Sequence, residues 1–340
     1  MEAAEAEGIS GLLYQALRGQ AGVPAAALAE MEKIYRSTQA RNITLLEELR
    51  SVLGRLAAAG IPVIVLKGAA LSELVYSDIG LRPMGDLDLL VRPEQADRAV
   101  STLREAGYQR ASKPELRSGF DRQFHIEVQL RAPTPFMNQV DIHWQMIAPL
   151  FTNRHVDLSA VWERAVPVSL VGQPAYTLSA ADWVLHQAAH AFYKHRRIRL
   201  LDLFDLDRLI RYLGTRLDWE AVWKIGAEFY WLPALAAVLP DCVELLGTPI
   251  PPWIIQAAAA YRLPRFERWM LDWWLAPGRP DKHHVFPDWV TLPGLGRRMG
   301  VLWACLFPAR AYMEARYPEH SVWKLPFQYF RRLWRGTDFK

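Results

Sequence analysis

The chain has 340 residues, 51% of them hydrophobic and 22% charged, which excludes a disordered or fibrous protein and is long enough for one large domain or two ordinary ones. Its net charge of +4 suits an anionic small substrate and does not demand nucleic acid. There is no run of about 18 apolar residues. The two cysteines, Cys242 and Cys305, have neither CxxC nor zinc spacing, and residues 1–8 lack the basic and apolar regions of a signal peptide. A soluble cytoplasmic protein with buried free thiols is therefore expected.

Residues 9–19 and 24–59 carry apolar side chains at helical spacing, including Met31, Tyr35, Leu46, Leu49, Leu53 and Leu56, and Gly60 and Pro62 stop the second helix. The period then changes. Residues 61–66 (IPVIVL) form a continuous apolar run rich in β-branched side chains, which reads as a buried strand. Lys67-Gly68 leads into a short helix over 69–76, followed by a loop containing Gly80, Arg82, Pro83 and Gly85. Residues 86–91 (DLDLLV) form a second strand, with Leu87 and Leu89 on one side and Asp86 and Asp88 on the other. A helix over 93–106 opens on Pro-Glu, and 124–130 and 140–145 alternate in strand fashion. From residue 180 the pattern is helical, over 182–193, 199–213, 219–230, 232–246, 254–261 and 265–275. Residues 276–300 are rich in Pro and Gly and read as loop.

The candidate chemistry sits on the two strands that carry aspartates. Asp86 and Asp88, two apart, present both carboxylates to one face; Asp141 lies on a later strand and shares its face with His143. Such a trio can hold a pair of Mg²⁺ ions for phosphoryl transfer, since Mg²⁺ takes hard oxygen ligands and shares its shell with substrate phosphates. The bare triplet is weak, because 36 acidic residues in 340 give roughly four acidic-x-acidic triplets by chance. Asp205-Leu-Asp207 is one such case: on a helix its two carboxylates diverge. The bland alternative for Asp86 and Asp88 is a solvated strand edge. The context adds weight. Lys67-Gly68 closes a strand and opens a helix, where backbone N–H groups can cradle a phosphate and Gly68 permits close approach. Lys67 adds a point charge, or is an ordinary strand-end lysine; Arg82 reaches a phosphate, or makes a loop salt bridge.

GIPVIVLKGAALSELVY, GLRPMGDLDLLV and VDIHW together resemble the uncharacterised nucleotidyltransferases of the polymerase β-like superfamily, and GISGLLYQAL and HQAAHAFYKHRRIRLLDLFDLDRLI extend the resemblance over most of the chain. The resemblance implies an α+β fold: a small mixed-sheet nucleotidyltransferase palm over 61–178, flanked by an N-terminal helical segment over 1–60 and a helical C-terminal domain over 179–340. It implies catalytic and metal-binding roles for Asp86, Asp88 and Asp141 with two Mg²⁺ ions, and nucleotide binding at Lys67, Gly68, Arg82 and His143. An NTP would donate its nucleoside monophosphate to a hydroxyl or phosphate of an undefined small molecule, peptide or sugar, in a bacterial biosynthetic setting. Lys67-Gly68 stands where the wider superfamily places Gly-Ser. The alternatives are a non-catalytic nucleotide- or peptide-binding module and a different phosphoryl transfer on the same palm.

Other groups carry open readings. His186 and His190 share a helix face, with His195 close in sequence; helix packing is favoured over zinc or contact with substrate. Arg199 and Asp205 read as a domain-stabilising pair, with lining the cleft as the alternative. Glu127 shares a strand face with His125 and is a candidate extra ligand or base. The aromatic, basic tail from Arg297 reads as helices docked by their aromatic face, with contact to a membrane surface or an acidic partner as the alternative.

Overall fold

A computed structural model describes residues 2–111, 114–194, 197–276, 285–317 and Tyr329. The fold is α+β, built on one seven-stranded mixed sheet. The strands are β1 (Ile64–Val65), β2 (Asp86–Leu90), β3 (Gln109–Arg110), β4 (Glu127–Arg131), β5 (Gln139–His143), β6 (Val166–Leu170) and β7 (Gln173–Thr177), in the spatial order β3-β4-β5-β2-β1-β7-β6. The pairs β2–β5 and β1–β7 are parallel and the others antiparallel. The helices are α1 (Glu2–Ala6), α2 (Ser10–Leu17), α3 (Ala25–Ala58), α4 (Lys67–Leu74), α5 (Ala96–Glu105), α6 (Phe120–Phe124), α7 (Leu158–Arg164), α8 (Ala180–Ala189), α9 (Leu200–Leu213), α10 (Trp219–Glu228), α11 (Leu232–Leu246), α12 (Pro252–Ala260), α13 (Arg265–Leu275), α14 (Val285–Thr291), α15 (Leu295–Leu306) and α16 (Arg310–Arg316).

One face of the sheet is closed by α3 and α5. Leu45, Leu49, Val52 and Leu56 of α3 and Ala99 and Leu103 of α5 are buried, as are Leu87 and Leu89 of β2. Because strand side chains alternate, Asp86 and Asp88 project to the other face. Helices α8 to α11 pack on one another, and one hydrophobic core runs from Ile9 to Trp274. A separate small core joins Phe120 and Phe124 of α6 to Leu292, Val301, Ala304 and Cys305 near the C-terminal end.

Helix α3 also fixes the loop that feeds β2. The Asn42 side chain, fully buried, donates to the carbonyls of Ile79 (2.5 Å) and Arg82 (2.7 Å) and accepts from the Met84 N–H (3.3 Å). Arg41 donates to the carbonyls of Met84 and Gly85. A loop whose backbone groups are satisfied in this way is held in one conformation, and Asp86 follows it directly.

Three stretches differ from the sequence expectation. The strand expected over 124–130 begins only at Glu127, because 120–124 coil into α6. The β6–β7 hairpin was not expected: Pro167 and Pro174 mask its strand signal, and its two-residue turn places Val171 and Gly172 at φ +47° and +76°, as a type I′ turn requires. Within 276–300, read as loop, lie α14 and the start of α15. Gly296 and Gly300 sit where an added Cβ would meet open space, so they leave the buried side of α15 intact. Residues 277–284 lie outside the described residues. No helix among the described residues is long and apolar enough to cross a membrane.

Candidate active site

Register brings the acidic residues together. Asp88 of β2 pairs with Asp141 of β5, and Asp141 in turn pairs with Gln129 of β4. Two residues along, His143 pairs with Glu127; two residues back, Asp86 pairs with Gln139. Directly paired residues share a sheet face, so Asp86, Asp88, Asp141, Glu127 and His143 all project from one side. Ligand atoms of Asp88, Glu127, Asp141 and His143 lie within 4.8 Å of one another.

Cations in this cluster are unevenly shared. The Lys67 ammonium sits 2.6 Å from Asp88 Oδ1. His143, with no exposed surface, places Nε2 at 2.9 Å from the same oxygen and 3.1 Å from Glu127 Oε2. Burial would raise the Asp88 carboxyl, but Lys67 and His143 overcome it and hold it well below the usual carboxylate range. Glu127 is likewise held low, because His143, Lys194 and Lys67 outweigh its burial. Asp86 and Asp141 are left in surplus. Burial and then Asp88 raise Asp86; burial, Glu127 and Asp88 push Asp141 up to about 7. The only described side-chain hydrogen bonds to Asp141 are from the Gln139 amide, at 3.0 and 3.2 Å. A group of buried and half-buried carboxylates, two of which stay raised even with Lys67, Lys194 and His143 beside them, fits a divalent metal, and the oxygen-rich donor set fits a hard one.

The Lys67–Gly68 turn lies against this cluster. Lys67 adopts φ +47°, uncommon for a residue with a side chain, and the helix α4 starts at Lys67 itself. At Gly68, a Cβ would come within 2.6 Å of Arg82 Nη1, so glycine there makes room for the guanidinium. Arg82 is buried and gripped by Asp205 of α9, with Nε and Nη2 each 2.7–3.1 Å from its carboxylate oxygens; the Tyr76 hydroxyl donates to the same carboxylate at 2.8 Å. Asp207 points elsewhere, to Arg211 and the Thr248 hydroxyl, as a helical i, i+2 pair must.

Lys67, Gly68, Arg82, Asp86 and Asp88 border a cleft of about 440 Å³, closed on the far side by Lys194, Arg199 and Asp202. Arg199 pairs with Asp202, Asp205 pairs with Arg82, and both Arg199 and Asp205 line the cleft. Asp141 and His143 lie behind Asp88, and His143 does not reach the cleft surface. His186 is buried with Nε2 3.1 Å from the Met146 carbonyl oxygen, and burial and Lys67 lower it to about 3, so it stays neutral. His190 lines the cleft; His195 lies outside the described residues. Lys194, in the π-helical turn His190–Lys194 that extends α8, drew no attention in the sequence, where it is one lysine among many. Of the tail residues, Trp323, Phe327, Phe330, Trp334, Arg331, Arg332 and Arg335 lie outside the described residues.

Residues 1–247 match the family model described as "Uncharacterised nucleotidyltransferase". No curated protein matches the chain. Among solved structures, the solution structure of the antibiotic-resistance factor ANT(2'')-Ia is 12% identical over 60% of this chain and 99% of that one, with a TM-score of 0.39. An antigenic nucleotidyltransferase-like protein from Paracoccidioides brasiliensis is 14% identical over 60% of this chain and 96% of that one, with a TM-score of 0.35. Likeness at that level carries no argument about function.

Proposed function

Since the chain belongs to the family of uncharacterised nucleotidyltransferases and is thereby a transferase, we propose that it transfers a nucleoside monophosphate from an NTP to an acceptor hydroxyl or phosphate, releasing pyrophosphate. The observation that carries this reading is the register of β2 on β5, which stacks Asp88 beside Asp141 with Asp86 on the same face, at the wall of a polar cleft. Asp86, Asp88 and Asp141 would hold two Mg²⁺ ions. When bound, such ions neutralise charge on the transferring phosphoryl group and acidify the attacking hydroxyl.

The chain's own residues divide the remaining work. Lys67, at the cleft and on Asp88, is the nearest cation for the triphosphate. The first residues of α4, Lys67 and Gly68, line the same space, where helix N-terminal amides favour a phosphate. Arg82 is oriented by Asp205 and borders the cleft from the β2 loop, so it presents a fixed rather than a searching charge. His143 acts on nucleotide only through Asp88 and Glu127, which it locks in place. Residues 1–60 would brace the β2 loop, 61–178 supply the palm, and 179–340 wall the cleft. The buried Cys242 and Cys305, neither of them in a disulfide, support a cytoplasmic location.

The test is the chemistry of release. With Mg²⁺ and each NTP in turn, supplied with a panel of hydroxyl and phosphate acceptors, pyrophosphate should appear and a labelled α-phosphate should move to an acceptor. Release of orthophosphate from the γ position instead would replace nucleotidyl transfer with another phosphoryl chemistry.

A further inference from the structure

A second concavity of about 260 Å³ opens on the other side of the carboxylate cluster. It meets that cluster through Glu127, which belongs both to the metal-competent group and to the wall of this pocket. Gln129, the direct neighbour of Asp141 across the sheet, lines it too. The nucleotide cleft reaches the same carboxylates from the Lys67 side and does not include these residues. The two spaces therefore flank one row of carboxylates, as the donor and acceptor of a transfer reaction must.

The lining states what would fit. Phe124, Ala148, Pro149 and Leu150 form an apolar body. At its rim His125 has Nδ1 3.1 Å from Asp121 Oδ1, which assigns the proton to Nδ1 and leaves Nε2 as an acceptor. The carboxylate of Asp288 on α14, buried on the opposite wall, takes the Phe151 N–H at 2.7 Å. Arg110 also lines the pocket, but its guanidinium is already on Asp121. Two carboxylates and a ring-nitrogen acceptor favour a group that donates hydrogen bonds and disfavour an anion. The Asp288 wall also lies beyond residues 1–247, the part matched by the family. The small core of Phe120, Phe124, Leu292 and Val301 ties it down, so this wall belongs to the chain's own C-terminal region.

We infer that this pocket binds the acceptor, and that the acceptor is a compact, largely apolar molecule or side chain presenting a hydroxyl to the Glu127–Asp141 edge, not a phosphate. The inference rests on the transferase reading for its direction of transfer, but the pocket can be tested without turnover. Benzyl alcohol and benzyl phosphate share one apolar body and differ in the group at issue. Saturation-transfer NMR on the full chain with Mg²⁺ should show benzyl alcohol bound and benzyl phosphate unbound at equal concentration. Leu150→Trp fills the pocket from its apolar wall, and His125→Trp fills it from the half-exposed rim. Each should reduce the benzyl alcohol signal roughly tenfold while the Mg²⁺–NTP thermal shift is retained. Equal signals in wild type and in a variant that keeps that shift, or benzyl phosphate bound as well as the alcohol, would overturn the inference. A wild type with no NTP shift would count against the transferase reading instead, and folding of the variants would then be checked by circular dichroism before the NMR comparison is scored.

Discussion

Replacing Asp141 by Asn should make the metal-free protein more stable, by an amount that depends on pH. In the folded state the Asp141 carboxyl is pushed up from its ordinary 3.8 to about 7 by burial, Glu127 and Asp88. The folded state thus keeps a proton that the unfolded chain has already released, so stability falls as pH rises from about 4 to about 7. Each unit of pH across that window costs about 1.4 kcal/mol, giving about 1 kcal/mol at pH 4.5 and at most about 4 kcal/mol at pH 8. Asparagine keeps the shape and can still accept from the Gln139 amide, which lies 3.0 Å from Asp141 Oδ1, but it never ionises. Urea unfolding in EDTA measures the difference directly. Asp141→Asn should gain little over wild type at pH 4.5 and several kcal/mol at pH 8, and adding Mg²⁺ should reverse the order at pH 8 by stabilising only the wild type. A variant equally or less stable than wild type at both pH values would refute the claim that Asp141 carries surplus charge in the metal-free site.

Other substitutions test the frame around the site. Asp205→Asn leaves the Arg82 guanidinium buried beside a neutral partner and should cost about 3 kcal/mol in urea unfolding, as the loss of one member of a buried ion pair does. Gly68→Ala drives a methyl to within 2.6 Å of Arg82 Nη1; it should cost about 1–2 kcal/mol and weaken NTP binding by calorimetry more than Asp205→Asn does per kcal/mol lost. Asn42→Leu strands the carbonyls of Ile79 and Arg82 and the N–H of Met84, and should cost at least about 2 kcal/mol with faster hydrogen exchange confined first to residues 79–84.

The legible parts of the site are those set by local period. Asp86 and Asp88 share a face because a strand alternates, and the fully buried Leu87 and Leu89 announce the strand. What residue stands opposite what is a matter of register across the sheet, and nothing within DLDLLV or VDIH states that Asp88 pairs with Asp141 or that Glu127 closes on His143. Lys67 was visible as a cation at a turn, but its direction was not. A positive φ turns it onto Asp88, and that conformation is imposed by the tertiary packing around the turn rather than by the residue itself. Arg82 and Asp205 lie 123 positions apart in the chain, beyond any local pattern. The β6–β7 hairpin and the helices within 285–306 were hidden for one reason: exposed strand prolines such as Pro167 and Pro174, the helix proline Pro287 and the exposed helix glycines Gly296 and Gly300 look the same in sequence as Pro and Gly in loops.

The most direct test of the proposed nucleotide site is Mg²⁺-dependent binding of the four NTPs, followed by thermal shift on wild type and on Asp86→Asn/Asp88→Asn. One or more NTPs should raise the melting temperature of the wild type only when Mg²⁺ is present, and the double variant, folded, should show no such rise. A rise that needs no Mg²⁺, or one that survives in the double variant, would contradict the assignment of the nucleotide and its metal to these carboxylates.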